Sequence, residues 1–114
     1  MNMFSKKIAR MHYIILTILA FIPLVMTAIA FPFLPDPLPA HFSFSGSVTR
    51  WGSVYEAFLL PVIALVLGLF MIWATKFSER KDDYAGKMVF WTTIVMHAIF
   101  IAINAALLYV WATY

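Results

Sequence analysis

Three stretches of this chain run uncharged for about the length of a bilayer crossing, which takes roughly 20 apolar residues. The first, His12 to Pro35, contains no Asp, Glu, Lys or Arg. The second runs from Ala57 to Thr75, and the third begins at Met88, with no charged side chain from there to Tyr114. None alternates apolar and polar positions as a half-buried strand would. Each is apolar all round, which excludes an amphipathic surface helix. In hydrocarbon only a helix satisfies such a backbone from within. The pattern predicts an all-α fold: a three-helix transmembrane bundle with helices at about 12–34, 54–75 and 88–112, forming one integral membrane domain over residues 1–114.

Composition agrees with lipid as the solvent. Hydrophobic residues make up 64% of the chain and charged residues 11%, with a mean hydropathy of +0.92. Soluble domains are nearer half apolar and about a quarter charged. A water-soluble fold of this length could not bury so much Phe, Leu, Ile and Trp. The chain has no cysteine, which removes disulfides, thiolate metal sites and Cys nucleophiles. Its net charge of +3 does not point to nucleic acid, because the cations lie beside apolar segments and form no surface stripe.

Those cations predict the orientation. Lys6, Lys7 and Arg10 precede the first segment, and Lys76, Arg80, Lys81 and Lys87 lie between the second and third. Only Arg50 lies between the first and second. With three spans, seven cations fall on one side and one on the other. The positive-inside rule then puts the N-terminus and residues 76–87 in the cytoplasm and the C-terminus outside. Trp51, Tyr55, Trp73, Trp91, Tyr109, Trp111 and Tyr114 fall near segment ends, where ring and polar handle each find their solvent. Basic residues, an apolar run and Ala28-Ile29-Ala30 also resemble a cleavable secretory signal. The run is longer than a typical signal core, so an uncleaved anchor is the expectation.

The first connection is proline-rich. Pro32, Pro35, Pro37 and Pro39 each remove an amide donor and restrict the preceding residue, predicting a stiff, extended outer loop. Gly46 and Gly52 mark later turns. Ser53-Val54-Tyr55-Glu56 has the form of a capping box, so the second helix should start near Val54. Pro61, about two turns further on, should kink it. Residues 76–87 read as a solvated, mixed-charge turn, or as a contact site for a cytoplasmic partner. On the third helix Thr93, His97 and Asn104 share one stripe, while Ala98, Ala102 and Ala106 repeat every fourth residue. A polar stripe is costly against lipid and should face the bundle or a partner. Small residues let a second helix approach closely.

Leu34-Pro35-Asp36-Pro37-Leu38-Pro39-Ala40-His41-Phe42-Ser43, followed by Gly46, Arg50, Trp51 and Gly52, resembles the N-terminal domain of unknown function of Sdp-type toxin immunity proteins. Pro35, Asp36, Pro39, His41, Gly46, Gly52, Ser53 and Leu60-Pro61 carry the likeness, over about residues 14 to 70. Ser43 stands where Asn is usual, Thr49 where an acid is usual, and Val54 in place of a frequent Lys. Full immunity proteins also carry a second hydrophobic half. The resemblance implies a small multi-pass protein of a prokaryotic inner membrane with a conformationally fixed outer loop. For immunity members it implies protection from a secreted peptide toxin and signalling to a cytoplasmic repressor.

Two functional classes follow, and they are compatible. One is an accessory subunit of a larger membrane complex, packing through Thr93, His97, Ala98, Ala102 and Asn104 against other membrane subunits. The other is peptide-toxin immunity or envelope sensing, with Asp36, Pro39, His41, Gly46 and Arg50 contacting an extracellular peptide. An enzyme is not expected. Asp36 and His41 could pair as acid and base, but a closed metal site takes three or four ligands, so no metal or cofactor is expected. The remaining partner is the lipid bilayer.

Overall fold

A computed structural model describes residues 3–114. Met1, to which the uncleaved-anchor reading refers, lies outside the described residues. Three helices dominate: α1 (Met3–Ala30), α2 (Leu59–Lys81) and α3 (Asp83–Thr113). Between α1 and α2 a two-stranded antiparallel sheet forms from β1 (Leu38–Phe42) and β2 (Val48–Gly52). All three helices are long and apolar enough to span a membrane. This is a small multi-pass membrane protein.

The prolines end α1. After Ala30 the chain tightens into a 3-10 turn, Phe31–Phe33, with Pro32 in its first turn. Leu34, preceding Pro35, is extended at φ −89° and ψ 145°, as the bulk of a following proline ring requires. The Asp36–Pro37 peptide is cis. The loop then becomes a hairpin, which its sequence pattern had not announced. Leu38 pairs with Gly52, Pro39 with Trp51, His41 with Arg50 and Phe42 with Val48, with irregularities on either side of His41. At the tip, Ser43 N–H donates to the Ser47 carbonyl at 2.9 Å and Gly46 N–H to the Ser43 carbonyl at 3.0 Å. Gly46 takes φ +88°, a left-handed turn conformation that a side chain would strain.

Two local expectations about α2 need correction. Ser53 does cap, its Oγ accepting from Tyr55 N–H at 3.3 Å, but it caps a separate 3-10 turn, Val54–Phe58. The Glu56 carboxylate does not close the box; it accepts from Arg50 Nη2 at 2.9 Å. Pro61 is the third residue of α2. It therefore lies in the first turn of that helix, where a proline is tolerated, rather than two turns in.

The connection expected over residues 76–87 shrinks to one residue. Asp82, at φ −165° and ψ 128°, ends α2 and caps α3, its Oδ1 accepting from Tyr84 N–H at 3.0 Å. Arg80 and Lys81 fill the last turn of α2 and Asp83 the first turn of α3, each sign matching the helix dipole it meets. The charges mark where the apolar run stops, while the helices continue past it. A helix of 31 residues spans about 46 Å, well beyond a hydrocarbon core of about 30 Å.

The packing is inverted relative to a soluble protein. Large apolar side chains such as Ile18, Ile29, Val66, Phe70 and Val95 lie on the outside. The helix interfaces hold smaller and polar groups: Leu16, Ala20, Pro23 and Thr27 on α1, Pro61, Ala64, Gly68 and Thr75 on α2. Lipid tails are as apolar as leucine, so close backbone approach and hydrogen bonds draw such helices together. On α3 the buried positions Gly86, Phe90, Thr93, His97, Asn104, Leu108 and Trp111 follow steps of three, four and seven, which keep them on one face. At the Asp82 end the Tyr13 hydroxyl donates to Glu79, Lys76 Nζ lies 4.8 Å from the Tyr13 ring centre, and His12 stacks on Phe90 at 4.1 Å.

Candidate functional site

The hairpin does not float above the bundle. Trp111, near the end of α3, donates its indole N–H to the Pro39 carbonyl at 2.8 Å. Leu38, Ala57, Leu108 and Trp111 form a buried cluster, with Met26, Ala30, Leu34 and Leu107 packed round it. Trp51 and Phe42 meet Tyr114 edge-on at 5.7 and 6.3 Å between ring centres. Phe31 contacts Tyr55 and Phe58 at 5.5 Å each. Both strands, the 3-10 turns that flank them and the ends of α1 and α3 are thereby joined into one cap.

Beneath the cap opens a cleft of about 180 Å³. Its apolar walls come from Leu38, Leu60, Leu107 and Trp111, and its polar lining from His41, Arg50 and Glu56. Local sequence sets this arrangement. His41 and Arg50 are cross-strand partners. Glu56 reaches Arg50 because residue 52 is glycine, since a Cβ there would overlap the Glu56 carboxylate. One carboxylate oxygen binds Arg50; the other, Oε2, is buried against Gly52 without a hydrogen-bond partner.

The structure thus brings together His41 and Arg50 in the cleft lining, with the Pro39 carbonyl held by Trp111. It leaves Asp36 exposed and apart from the lining, and Gly46 at the hairpin tip. Glu56, Leu107 and Trp111 complete the cleft, yet sequence reasoning gave Glu56 only a capping role and Trp111 only an anchoring one. The spacing of Arg50 and Glu56, six residues apart with opposite charge, was the available signal. For Trp111, 72 residues from its partner in the chain, there was none.

Residues 18–65 match the family model DUF1648, a domain of unknown function. The matched segment takes in the second half of α1, both strands and the start of α2. The hairpin, Arg50, Glu56 and Gly52 lie within the matched segment, while α3, which supplies Leu107 and Trp111, lies beyond it. No curated protein and no solved structure gives a significant match.

A second polar group lies between the helices. Asn104 Nδ2 donates to the Pro23 carbonyl at 3.1 Å and to Thr27 Oγ1 at 3.2 Å, both across the α1–α3 interface. Thr93 returns its hydroxyl to the Val89 carbonyl of its own helix at 2.7 Å. His97 is fully buried, and neither ring nitrogen has a hydrogen-bond partner. It lies against Gly68, where an added Cβ would come 2.8 Å from its Cε1 and 2.7 Å from Ala20 Cβ. Thr93, His97 and Asn104 thus face the bundle. Ala98 and Ala102 do not join them; with Ala106 they are exposed on another face of α3. Among the described residues no group of three His, Asp or Glu could hold a metal ion.

Proposed function

We propose that this protein is an accessory subunit of a larger complex in a prokaryotic inner membrane, docking through α3. One observation carries this reading. The polar stripe of α3 faces into the bundle, while Ala98, Ala102 and Ala106 remain exposed, centred about 140° round the helix from His97. Small residues at four-residue spacing are what a second transmembrane helix needs for close approach. The uneven distribution of Lys and Arg supports a cytoplasmic N-terminus and Asp82 turn, with the hairpin outside. The role is binding and assembly, with no catalysis. Purification in a mild detergent tests it: a stoichiometric partner should co-elute and be lost on Ala102→Leu, whereas a lone monomer from both forms contradicts docking.

The hairpin cleft favours a second reading, compatible with the first: contact with an extracellular peptide, as in Sdp-type immunity or envelope sensing. The cap is braced on α3, and its cleft offers apolar walls beside His41, Arg50 and Glu56. Expression in a toxin-sensitive host should raise survival, and His41→Ala should reduce the gain. Equal survival with and without the protein would set this reading aside.

A further inference from the structure

A second groove lies away from the cap, on the exposed face of α3. It is open, about 510 Å³, and lined by Tyr84, Lys87, Met88, Trp91, Thr92 and Val95. Steps of three and four keep these side chains on one face of the helix. Lys87 is the last charged residue before the uncharged run that opens at Met88. Its ammonium is therefore held where hydrocarbon starts, and the lining from Met88 to Val95 runs about 10 Å further along the helix, into the membrane. Among the described residues the ion pair is Arg50–Glu56, so Lys87 has no carboxylate partner. Asp83, one turn earlier, stays outside the groove. Lys76 and Lys81 instead lie over the Tyr13 and Phe77 rings, at 4.8 and 4.6 Å. Tyr84 and Trp91, 69% and 62% exposed, bring a hydroxyl and an indole N–H to the face that carries Lys87. The lining thus offers a cation and two further donors beside apolar walls, and no carboxylate.

We propose that this groove binds one anionic phospholipid, its phosphate at Lys87, Tyr84 and Trp91 and the upper part of an acyl chain along Met88, Thr92 and Val95. Charge complementarity selects this occupant. The end of the bundle where Tyr13 meets Glu79 carries seven Lys and Arg against three carboxylates, an excess that attracts anionic headgroups. A zwitterionic lipid brings its own cation towards Lys87 and gains less. The polarity of the groove also runs as a lipid does, donors at the headgroup level and apolar walls below. Ala102 lies about 22 Å further along the same helix. A subunit docked there and a lipid at Lys87 are compatible, and neither requires the other.

The test titrates the full chain in detergent micelles with dioleoyl phosphatidylglycerol and, separately, dioleoyl phosphatidylcholine, counting bound lipid by native mass spectrometry. The first phosphatidylglycerol should bind about fivefold more tightly than the first phosphatidylcholine, the gain from one cation near the membrane surface. Lys87→Gln should remove that preference. Lys81→Gln, a cation of the same end but outside the groove, should keep it. Glycerol 3-phosphate, which has the headgroup charge and no acyl chain, should not displace the lipid at equal concentration. Circular dichroism confirms the fold of each variant. Equal binding of the two lipids, or a preference that survives Lys87→Gln, overturns the proposal. So does an equal loss on Lys81→Gln, which would mean diffuse attraction without a site. Displacement by glycerol 3-phosphate would make this a site for a free phosphate, and a dimer mass lost on Lys87→Gln would assign the face to a second copy; either sinks the lipid. Failure on any of these counts leaves subunit docking standing, because that is read from co-elution and Ala102→Leu.

Discussion

The side-chain amide of Asn104 donates to the main-chain carbonyl of Pro23 across the α1–α3 interface, 3.1 Å away. The same amide reaches Thr27 Oγ1 at 3.2 Å, so one residue of α3 secures two turns of α1.

Replacing Asn104 with Leu should therefore weaken the bundle by about 1 kcal/mol, within the range measured for hydrogen bonds between membrane helices. Reversible unfolding in mixed detergent micelles reads the change. Thr27→Val spares the bond to the Pro23 carbonyl and should cost less. A loss from Thr27→Val as large as that from Asn104→Leu would contradict the primacy of the Pro23 bond.

At Gly68 helix α2 lies tight against both α1 and α3. Gly68→Ala puts a methyl against both Ala20 and His97, and overpacking of this kind costs about 1–3 kcal/mol. Because the clash is shared, His97→Ala in the same chain should recover part of the loss, so the two substitutions should be non-additive in a double-mutant cycle. Strict additivity would show that His97 does not set the spacing at Gly68.

His97 itself sits buried with both nitrogens unpartnered. Substitution by Leu, similar in bulk and free of polar atoms, should leave stability unchanged or raise it by about 1–2 kcal/mol by removing an unmet polar group. Marked destabilisation, measured in the same micelle assay, would mean that the imidazole makes a favourable bond.

Trp111→Phe keeps a ring in the cap but deletes the donor to the Pro39 carbonyl. The expected cost is about 1–3 kcal/mol, because the buried carbonyl is left unsatisfied. The effect should be local: faster hydrogen exchange at the amides of β1 and β2, with α1 and α2 protected as before. Uniform deprotection would point to global loosening instead.

The helices were legible because uncharged runs of such length have few other solutions. Their ends were not, and for a reason that Lys76, Arg80 and Lys81 make clear. Charge reports where hydrocarbon stops, whereas a helix stops where its caps are, here at Asp82. The hairpin was hidden for a different reason. Leu38–Phe42 carries a proline and no clean alternation, so its pairing comes from the Ser43–Ser47 turn, with Gly46 at positive φ, and from the Trp111 brace. Of the cleft residues, His41 and Arg50 could be singled out from the loop motif. Glu56 could be assigned to the cleft only once Arg50 was seen beside it. Thr27 and Pro23 gave no local sign of their role, since the residue that bonds them lies about 80 positions away.

α3 contains no proline and runs unbroken from Asp83 to Thr113. Near one end Gly86 is buried against Glu79, and near the other Trp111 grips the main chain of β1. One unbroken helix therefore carries at its two ends the anchorage of the hairpin and that of the Asp82 turn. The proline-bearing strand and the Asp82 turn, on opposite sides of the bundle, are thus built onto the same continuous backbone.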